Sequence, residues 1–411
     1  MLDRRLTAIL ALTCGVSVAN IYFPQAVSPL VAAGLHVRVG SAALAATAAQ
    51  LGYAAGIFLL VPLGDRLPPR PLLATLLVLT GLGLFAAAAA PTLPALIVAS
   101  AVVGATTVVP QVVIPMAAGM AAPGRRASVV GTLLGGLIAG ILLARAFGGM
   151  LGGWLGWRAP YLAAAVLALL LATLLPAVLR TAAPAAPSRQ RYPALLAAPV
   201  RLWLAEPELR RSCLYQATLF GGFSAAWTSL ALLVTGPRYG LGAPAVGLIA
   251  LVGAGSVVGT PAAGRWVDRR GSDLVNLVCM VGVLAAAGVL VAGGTGGAAG
   301  LVALAAGMLL LDVAVQCGQV ANQARIFALR PAARSRINTA YMTCSFLGGS
   351  AGSWLGVRAY TALGWPGVCA LVAAAALVAL ARHAASCLTG DHGGGLRRAR
   401  TREDRLLRSG R

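Results

Sequence analysis

Asp312 is the residue in this sequence that packing explains least well. It lies in LLDVAVQCGQVANQA, residues 310–324, inside a long apolar run. Gln316, Gln319 and Gln323 follow it at i+4, i+7 and i+11, a spacing that places all four side chains on one helix face. A carboxyl group there can take up and release a proton, and the amides can hydrogen-bond a polar solute. An aspartate at the centre of a membrane-spanning helix costs about 2.5–3.5 kcal/mol, which hydrogen bonds between helices barely offset, so we interpret Asp312 as functional.

The composition indicates which solvent surrounds such a helix. Of the 411 residues, 59% are hydrophobic and 10% are charged, whereas soluble domains have about 25% charged residues. The chain therefore belongs in a bilayer. A net charge of +22 is compatible with a nucleic-acid partner, but the arginines form short clusters between apolar runs, as in loops that connect spans, so we exclude that partner.

Enzyme chemistry is not indicated by the sequence. The cysteines and histidines lack metal-ligand or redox spacing, and we find no nucleophile–base pair, so we expect no metal, no cofactor and no enzymatic activity. The stretch GAGSVVG at 253–259 resembles a dinucleotide-binding loop only faintly, because it lies within an apolar run and lacks the required spacing.

Twelve runs are long enough to cross a membrane, which takes about 20 apolar residues. Arg4 and Arg5 precede the first run, as in a signal peptide, but that run is too long and eleven more follow, so we expect a retained helix. The predicted spans are 7–30, 41–62, 71–90, 94–118, 127–150, 159–179, 212–234, 244–264, 274–292, 298–323, 337–358 and 364–384.

The distribution of arginines predicts the orientation. Most of the 32 basic residues fall on one side if both termini are cytoplasmic, which predicts a multi-pass protein of the bacterial inner membrane. A proline-rich linker divides the chain into two six-helix halves. We expect an N-terminal half at 1–180, a cytoplasmic linker at 181–211, a C-terminal half at 212–385, and a basic tail at 386–411 that is disordered or rests on anionic headgroups.

The two halves repeat each other. LGDRLPPR follows the second span, and GRWVDRRG follows the eighth. A shift of about 208 residues superposes Gln111 on Gln319, Pro123 on Pro331 and Arg126 on Arg334, and also aligns two LGW triplets. Such internal duplication is typical of secondary transporters.

With these motifs the sequence resembles the major facilitator superfamily over nearly its whole length. The family's loop signature G-x-L-a-D-R-x-G-R-R/K is matched at Leu63 and Gly64, with Val61 in place of its first glycine and Pro68 in place of its second. The resemblance implies a conformational latch, for which the alternative is a loop whose arginines only fix topology. The latch residues would be Asp65, Arg66 and Arg70, with Asp268 and Arg269 in the second copy.

The fifth span resembles the helix of the family's proton antiporters, whose pattern is G-x8-G-x3-G-P-x2-G-G. Ala144 and Arg145 replace a glycine and the proline. The segments QLGYAAGIFLLVPLGDR and GWRAPYL are similar to sequences of bacterial efflux proteins for sugars, nucleosides or drugs. The matching glycines of the fifth span are Gly131, Gly140, Gly148 and Gly149, which allow close helix packing.

Polar and aromatic stripes fall on the first, fourth, seventh and tenth spans, which in the family face the central cavity. The alternatives are hydrogen bonding between helices for the amides and packing for the aromatic residues. The predicted substrate-binding residues are Asn20, Tyr22, Gln25, Gln111, Gln216, Phe223, Trp227, Gln316 and Gln319.

The predicted function is secondary transport that exports a small neutral or cationic organic solute by alternating access, with proton antiport through Asp312. We expect a monomer whose partners are its solute, protons and membrane lipids. An importer of the same fold and a non-transporting receptor or scaffold remain alternatives. For Arg145 three roles are open: an ion pair with Asp312, a role in the cavity or an interface without that pair, or a side chain that reaches the headgroups.

Overall fold

The computed structural model describes residues 4–121, 126–179, 190–253, 256–330 and 333–388. Pro123, Pro331, positions 181–189 of the predicted linker and the tail beyond Leu388 lie outside this range. Every regular element within it is helical. The helices are α1 (Arg4–Gly34), α2 (Val39–Ala42), α3 (Leu44–Leu59), a short 3-10 helix (Val61–Asp65), α4 (Pro69–Ala89), α5 (Leu93–Thr106), α6 (Val109–Met120), α7 (Arg126–Leu155), α8 (Arg158–Val178), α9 (Tyr192–Ala205), α10 (Pro207–Thr235), α11 (Ala243–Val252), α12 (Ser256–Arg270), α13 (Ser272–Ala292), α14 (Gly297–Leu329) and α15 (Arg334–Leu388).

Ten helical segments in the described ranges are long and apolar enough to cross a membrane. The longest, α15, has 55 residues and is interrupted at Gly364, whose φ of +67° is not helical. Glycine adopts this conformation without steric cost, so the chain can change direction there. The interruption falls at the first residue of the last predicted span, next to the predicted gap.

The structure has helical residues outside the predicted spans in two places, because apolar periodicity does not reveal helical segments with polar ends. The predicted span 244–264 covers α11 and the first part of α12, and α12 continues to Arg270. Asp268 and Arg269, expected in a loop, are therefore on the last turn of a helix. The predicted linker also contains α9, which has a proline in its first turn and buries Leu195 and Pro199.

The helices form two groups, α1–α8 and α10–α15, and each packs mainly within itself. The main contacts join α1 to α7, α3 to α5 and α4 to α8 in the first group, and α10 to α15 and α13 to α14 in the second. The backbones of α1 and α7 meet closely, since a Cβ on Gly140 would overlap the backbone of Gly15 and a Cβ on Gly15 would overlap the carbonyl oxygen of Gly136. Small residues allow such packing, which supplies van der Waals contact where lipid provides little hydrophobic drive.

The contacts between the two groups are those of α3 with α15, which are the most extensive, of α7 with α11, and of α1 with α10. Thr47 on α3 and Ser353 on α15 share a hydrogen bond of 2.9 Å. We name the end at which α7 finishes the closed end, because Gly149 and Gly153 of α7 meet Ala243 and Pro244 of α11 there.

Candidate functional site

Asp312 lies in the interior of the bundle near the closed end, with 3% of its surface exposed. The indole Nε1–H of Trp227, on α10, donates a hydrogen bond of 2.9 Å to Asp312 Oδ1. The second oxygen, Oδ2, is buried without a hydrogen-bond partner and faces Gly253, where any side chain would overlap it. The partner that sequence reasoning could not find is therefore an aromatic residue of another helix.

Arg145 is also buried, with 1% of its surface exposed, so its side chain does not reach the headgroups. Its guanidinium lies 4.0 Å from the ring centroid of Trp227, and its Nε donates a hydrogen bond of 3.1 Å to Gln25 Oε1. Tyr22 and Phe223 lie 4.9 Å and 5.4 Å from the guanidinium. Each ring face attracts the cation through its quadrupole, which is worth about 2 kcal/mol where water is excluded.

Arg145 and Asp312 are joined through Trp227 and form no direct ion pair, since none of the ion pairs between described residues includes either one. The indole offers its face to the guanidinium and its N–H to the carboxylate. Of the three roles left open by the sequence, the structure therefore places Arg145 at an interface without the direct pair.

We name six residues the central cluster: Tyr22, Gln25, Arg145, Phe223, Trp227 and Asp312. The first three are on α1 and α7 and the last three are on α10 and α14, so the two helix groups assemble the cluster together. Three of its buried polar atoms have no partner, namely Gln25 Nε2, Arg145 Nη2 and Asp312 Oδ2. Unsatisfied polar atoms are rare in folded proteins and costly, and they often mark a functional site.

The other predicted substrate-binding residues lie closer to the opposite end of the bundle, and most join neighbouring helices. Asn20 Nδ2 donates to Thr107 Oγ1 at 3.1 Å, and Gln111 Nε2 donates to Tyr53 at 3.3 Å. Gln216 donates to Gln319 at 3.4 Å and accepts a hydrogen bond of 2.9 Å from Tyr341. Hydrogen bonding between helices thus accounts for part of these stripes.

The same residues differ in how much of each side chain is exposed. Asn20 and Gln216 are buried, whereas Gln111, Gln316 and Gln319 are partly exposed. The polar stripe of α14 therefore runs from the buried Asp312 to partly exposed glutamines.

The glycines predicted on the fifth span have distinct neighbours. Gly140 meets the backbone of Gly15, and a Cβ at Gly148 would lie 2.7 Å from Cβ of Phe23. Gly149 faces the other helix group, because a Cβ there would lie 2.6 Å from the carbonyl oxygen of Ala243 on α11. Gly131 has nothing within 4 Å of a built Cβ, so three of the four glycines allow close contacts.

The predicted latch residues are placed at the end opposite the central cluster. Asp65 ends the 3-10 helix and interacts electrostatically with Arg336 on α15, in the other helix group. Asp65, Arg66, Asp268 and Arg269 are exposed, and Arg70 is half-buried with its Nε unpartnered. Asp65 thus lies within electrostatic reach of an arginine distant in sequence, although none of the ion pairs between described residues joins the two.

An ion-pair network that sequence reasoning missed joins α10, α13 and α14. Arg211 contacts Glu208 at 2.6 Å and Asp273 at 3.0 Å, and Arg325 also contacts Asp273. Both arginines are almost fully buried, so the carboxylates compensate charge that would otherwise be costly in the bundle. The signal was the position of the acidic residues beside the predicted start of two spans.

Within the parts of the chain that the structure describes, no three His, Cys, Asp or Glu side chains come together as a metal site. The structure combines apolar helices long enough to cross a membrane with a buried carboxylate, indole and guanidinium and a stripe of partly exposed amides. This combination defines a multi-pass membrane transport protein.

This chain belongs to the major facilitator superfamily, whose model matches residues 8–353. The resemblance seen in the sequence motifs is thereby confirmed. The chain is 35% identical over 381 residues to the putative uncharacterized transporter YgaY of Escherichia coli K12, covering 92% of this chain and 95% of that protein. It is 37% identical over 370 residues to the probable transporter SCO4007 of Streptomyces coelicolor, covering 89% and 84%.

Two solved structures share the fold. A point mutant of the nucleoside transporter NupG has a TM-score of 0.72 at 15% identity, with 93% of this chain and 99% of that chain covered. A bacterial homologue of the human lysosomal transporter Spinster has a TM-score of 0.67 at 14% identity, with 94% and 96% covered.

Proposed function

We propose that this chain is a twelve-helix secondary transporter that exports a small organic solute across the bacterial inner membrane by alternating access, in exchange for protons. The observation that carries the proposal is the central cluster, in which Asp312 is buried, incompletely hydrogen-bonded, and shared between two helix groups. A carboxyl group at such a point can release its proton to one side of the membrane and rebind it from the other, as the groups move.

The count of twelve spans requires several helices to be joined or divided. We take residues 39–65 as one span, α5 with α6 as one, α11 with α12 as one, and α15 as two spans that meet at Gly364. With the other helices this gives six spans before α9 and six after it. The distribution of arginines then favours cytoplasmic termini, so α9 lies at the cytoplasmic surface and the closed end faces outwards.

Alternating access would open the closed end and close the opposite one. The contacts of α7 with α11 and of α1 with α10 would separate, and Asn20, Gln111, Gln216, Gln316 and Gln319 would contact the solute along the path. Asp65, Arg66, Arg70, Asp268 and Arg269 would act as the cytoplasmic latch. The proximity of Asp65 to Arg336 across the two helix groups supports this role.

The experiment that tests the proposal is a solute screen in inside-out membrane vesicles with an imposed pH gradient, in which proton movement is followed with a fluorescent dye. We expect at least one organic solute to release protons from energised vesicles that contain the protein, and none to do so in vesicles without it. Proton movement of the opposite sign would identify an importer. Absence of any solute-dependent proton movement would contradict the antiport proposal.

A further inference from the structure

The chain places a cation of its own in a receptor built from two aromatic rings and a carboxylate. The guanidinium of Arg145 lies 4.0 Å from the centroid of Trp227 and 5.4 Å from that of Phe223. Trp227 in turn donates its indole N–H to Asp312 at 2.9 Å. The three receptor residues are on α10 and α14, whereas the cation is on α7 of the other helix group.

Arg145 and the receptor residues separate when the closed end opens, because they belong to different helix groups. Arg145 moves away with α7, while Phe223, Trp227 and Asp312 stay together on α10 and α14. The faces of the two rings are then without their cation, beside the carboxyl group that Trp227 hydrogen-bonds. Asp312 Oδ2, which faces Gly253, has no hydrogen-bond partner among the described residues, so it can accept a bond from a new donor. A carboxylate inside a membrane bundle is costly unless a proton or a cation neutralises it.

We propose that Phe223, Trp227 and Asp312 form the binding site for an organic cation, and that Arg145 is a tethered competitor that occupies this site while the closed end is sealed and no solute is bound. This inference rests on the proposed function and narrows its substrate to solutes with a guanidinium or substituted ammonium group. Both groups bind aromatic faces through cation–π attraction, and a guanidinium or an ammonium that retains an N–H can also donate to Oδ2.

Competition also gives the site a means of release. A solute cation that arrives from the opposite end displaces Arg145 from the receptor, and the closed end, no longer held by Arg145, can then open. When the solute leaves, Arg145 takes its place and the end closes. The binding strength of the solute is therefore reduced by whatever free energy Arg145 gains in the same site.

The test is a binding measurement by titration calorimetry on the purified full-length protein, with benzylguanidinium as the cation probe. Benzylurea serves as its uncharged near-isostere and benzoate as an anion. Arg145→Gln removes the competitor and should bind benzylguanidinium about tenfold more tightly than the parent protein, which corresponds to part of a desolvated cation–π interaction. Arg145→Lys keeps a cation and should bind like the parent.

Substitution of a receptor residue should abolish the tighter benzylguanidinium binding of Arg145→Gln. Trp227→Leu and Asp312→Asn should lose benzylguanidinium binding, both alone and when combined with Arg145→Gln, and benzylurea should show none of these differences. Unchanged or weaker binding in a folded Arg145→Gln protein would overturn the inference. Benzoate binding that depends on Arg145 would overturn it too, because Arg145 would then contact an anionic solute directly.

If Arg145→Gln does not fold, a distance measurement on the protein with Arg145 intact tests the inference instead. Spin labels at positions 155 and 363, both exposed near the closed end, report its opening. With Arg145 intact, saturating benzylguanidinium should lengthen the distance between the two labels, because the probe displaces Arg145; no change would overturn the inference.

Binding needs no proton gradient, so the inference and the proposed function can fail separately. Failure of antiport together with tighter binding in Arg145→Gln contradicts only the proposed function. Intact antiport without tighter binding contradicts only this inference.

Discussion

Gly149→Ala should open the closed end, because Gly149 is where α7 approaches α11 across the two helix groups. A Cβ at this position would lie 2.6 Å from the carbonyl oxygen of Ala243, whereas ordinary contacts begin at 3.4 Å. The two backbones would have to separate by about 0.8 Å, the difference between these distances. Overpacking of this kind costs about 1–3 kcal/mol, and only the sealed conformation bears the cost.

This cost converts into a change of conformational population. At 1.4 kcal/mol for each factor of ten, the equilibrium should shift towards the open conformation by about fivefold to a hundredfold. Folding of α7 itself should not suffer, since alanine favours a helix over glycine by about 1 kcal/mol.

The assay is pulsed electron paramagnetic resonance between spin labels at positions 155 and 363, in a background without native cysteines. The parent should show mainly the shorter distance, and Gly149→Ala should show a larger fraction of the longer one. Gly131→Ala is the matched control, because it is on the same helix, makes the same substitution, and has nothing within 4 Å of its Cβ. Identical distance distributions for the two variants would refute the reasoning.

Three further predictions concern packing, switching and charge. Gly140→Ala should lower the midpoint of thermal unfolding by several degrees, because its Cβ overlaps the backbone of Gly15 within one helix group, at a cost of about 1–3 kcal/mol; an unchanged midpoint would contradict this packing. Asp65→Asn should slow transport severalfold with little change in solute affinity, since Asp65 is far from the central cluster; a normal turnover rate would count against a latch. Asp273→Asn should destabilise the protein by on the order of 2 kcal/mol, because the buried arginines of its network lose a partner, while the exposed Asp268→Asn should have little effect; equal thermal midpoints would argue against the network.

The spans and the polar stripes were predictable because each depends on periodicity within one helix. Phe223 and Trp227, predicted on one face of α10, both contact Arg145. The sequence also predicted two spans where α15 is interrupted, although it placed Gly364 at the start of the second one. Short-range sequence patterns determine such features, so they can be predicted from a single sequence.

The connection between Arg145 and Asp312 was not predictable in the same way. Counting 1.5 Å for each residue places the two side chains at depths that differ by about 10 Å. This count ignores helix tilt, the length of the arginine side chain, and the indole ring that lies against both groups. Likewise Arg336 is distant in sequence from Asp65, and α9 was hidden by the prolines around it. These features depend on how helices pack, which no single-helix pattern reports.

The measurement that tests the central claim most directly is proton coupling in proteoliposomes that contain Asp312→Asn. The account predicts that the parent protein moves solute against its gradient when a pH gradient is imposed, and that Asp312→Asn does not. The folded variant should show no solute-driven proton movement, since the asparagine cannot carry the proton. Wild-type, gradient-driven flux with undiminished proton movement in Asp312→Asn would contradict the account.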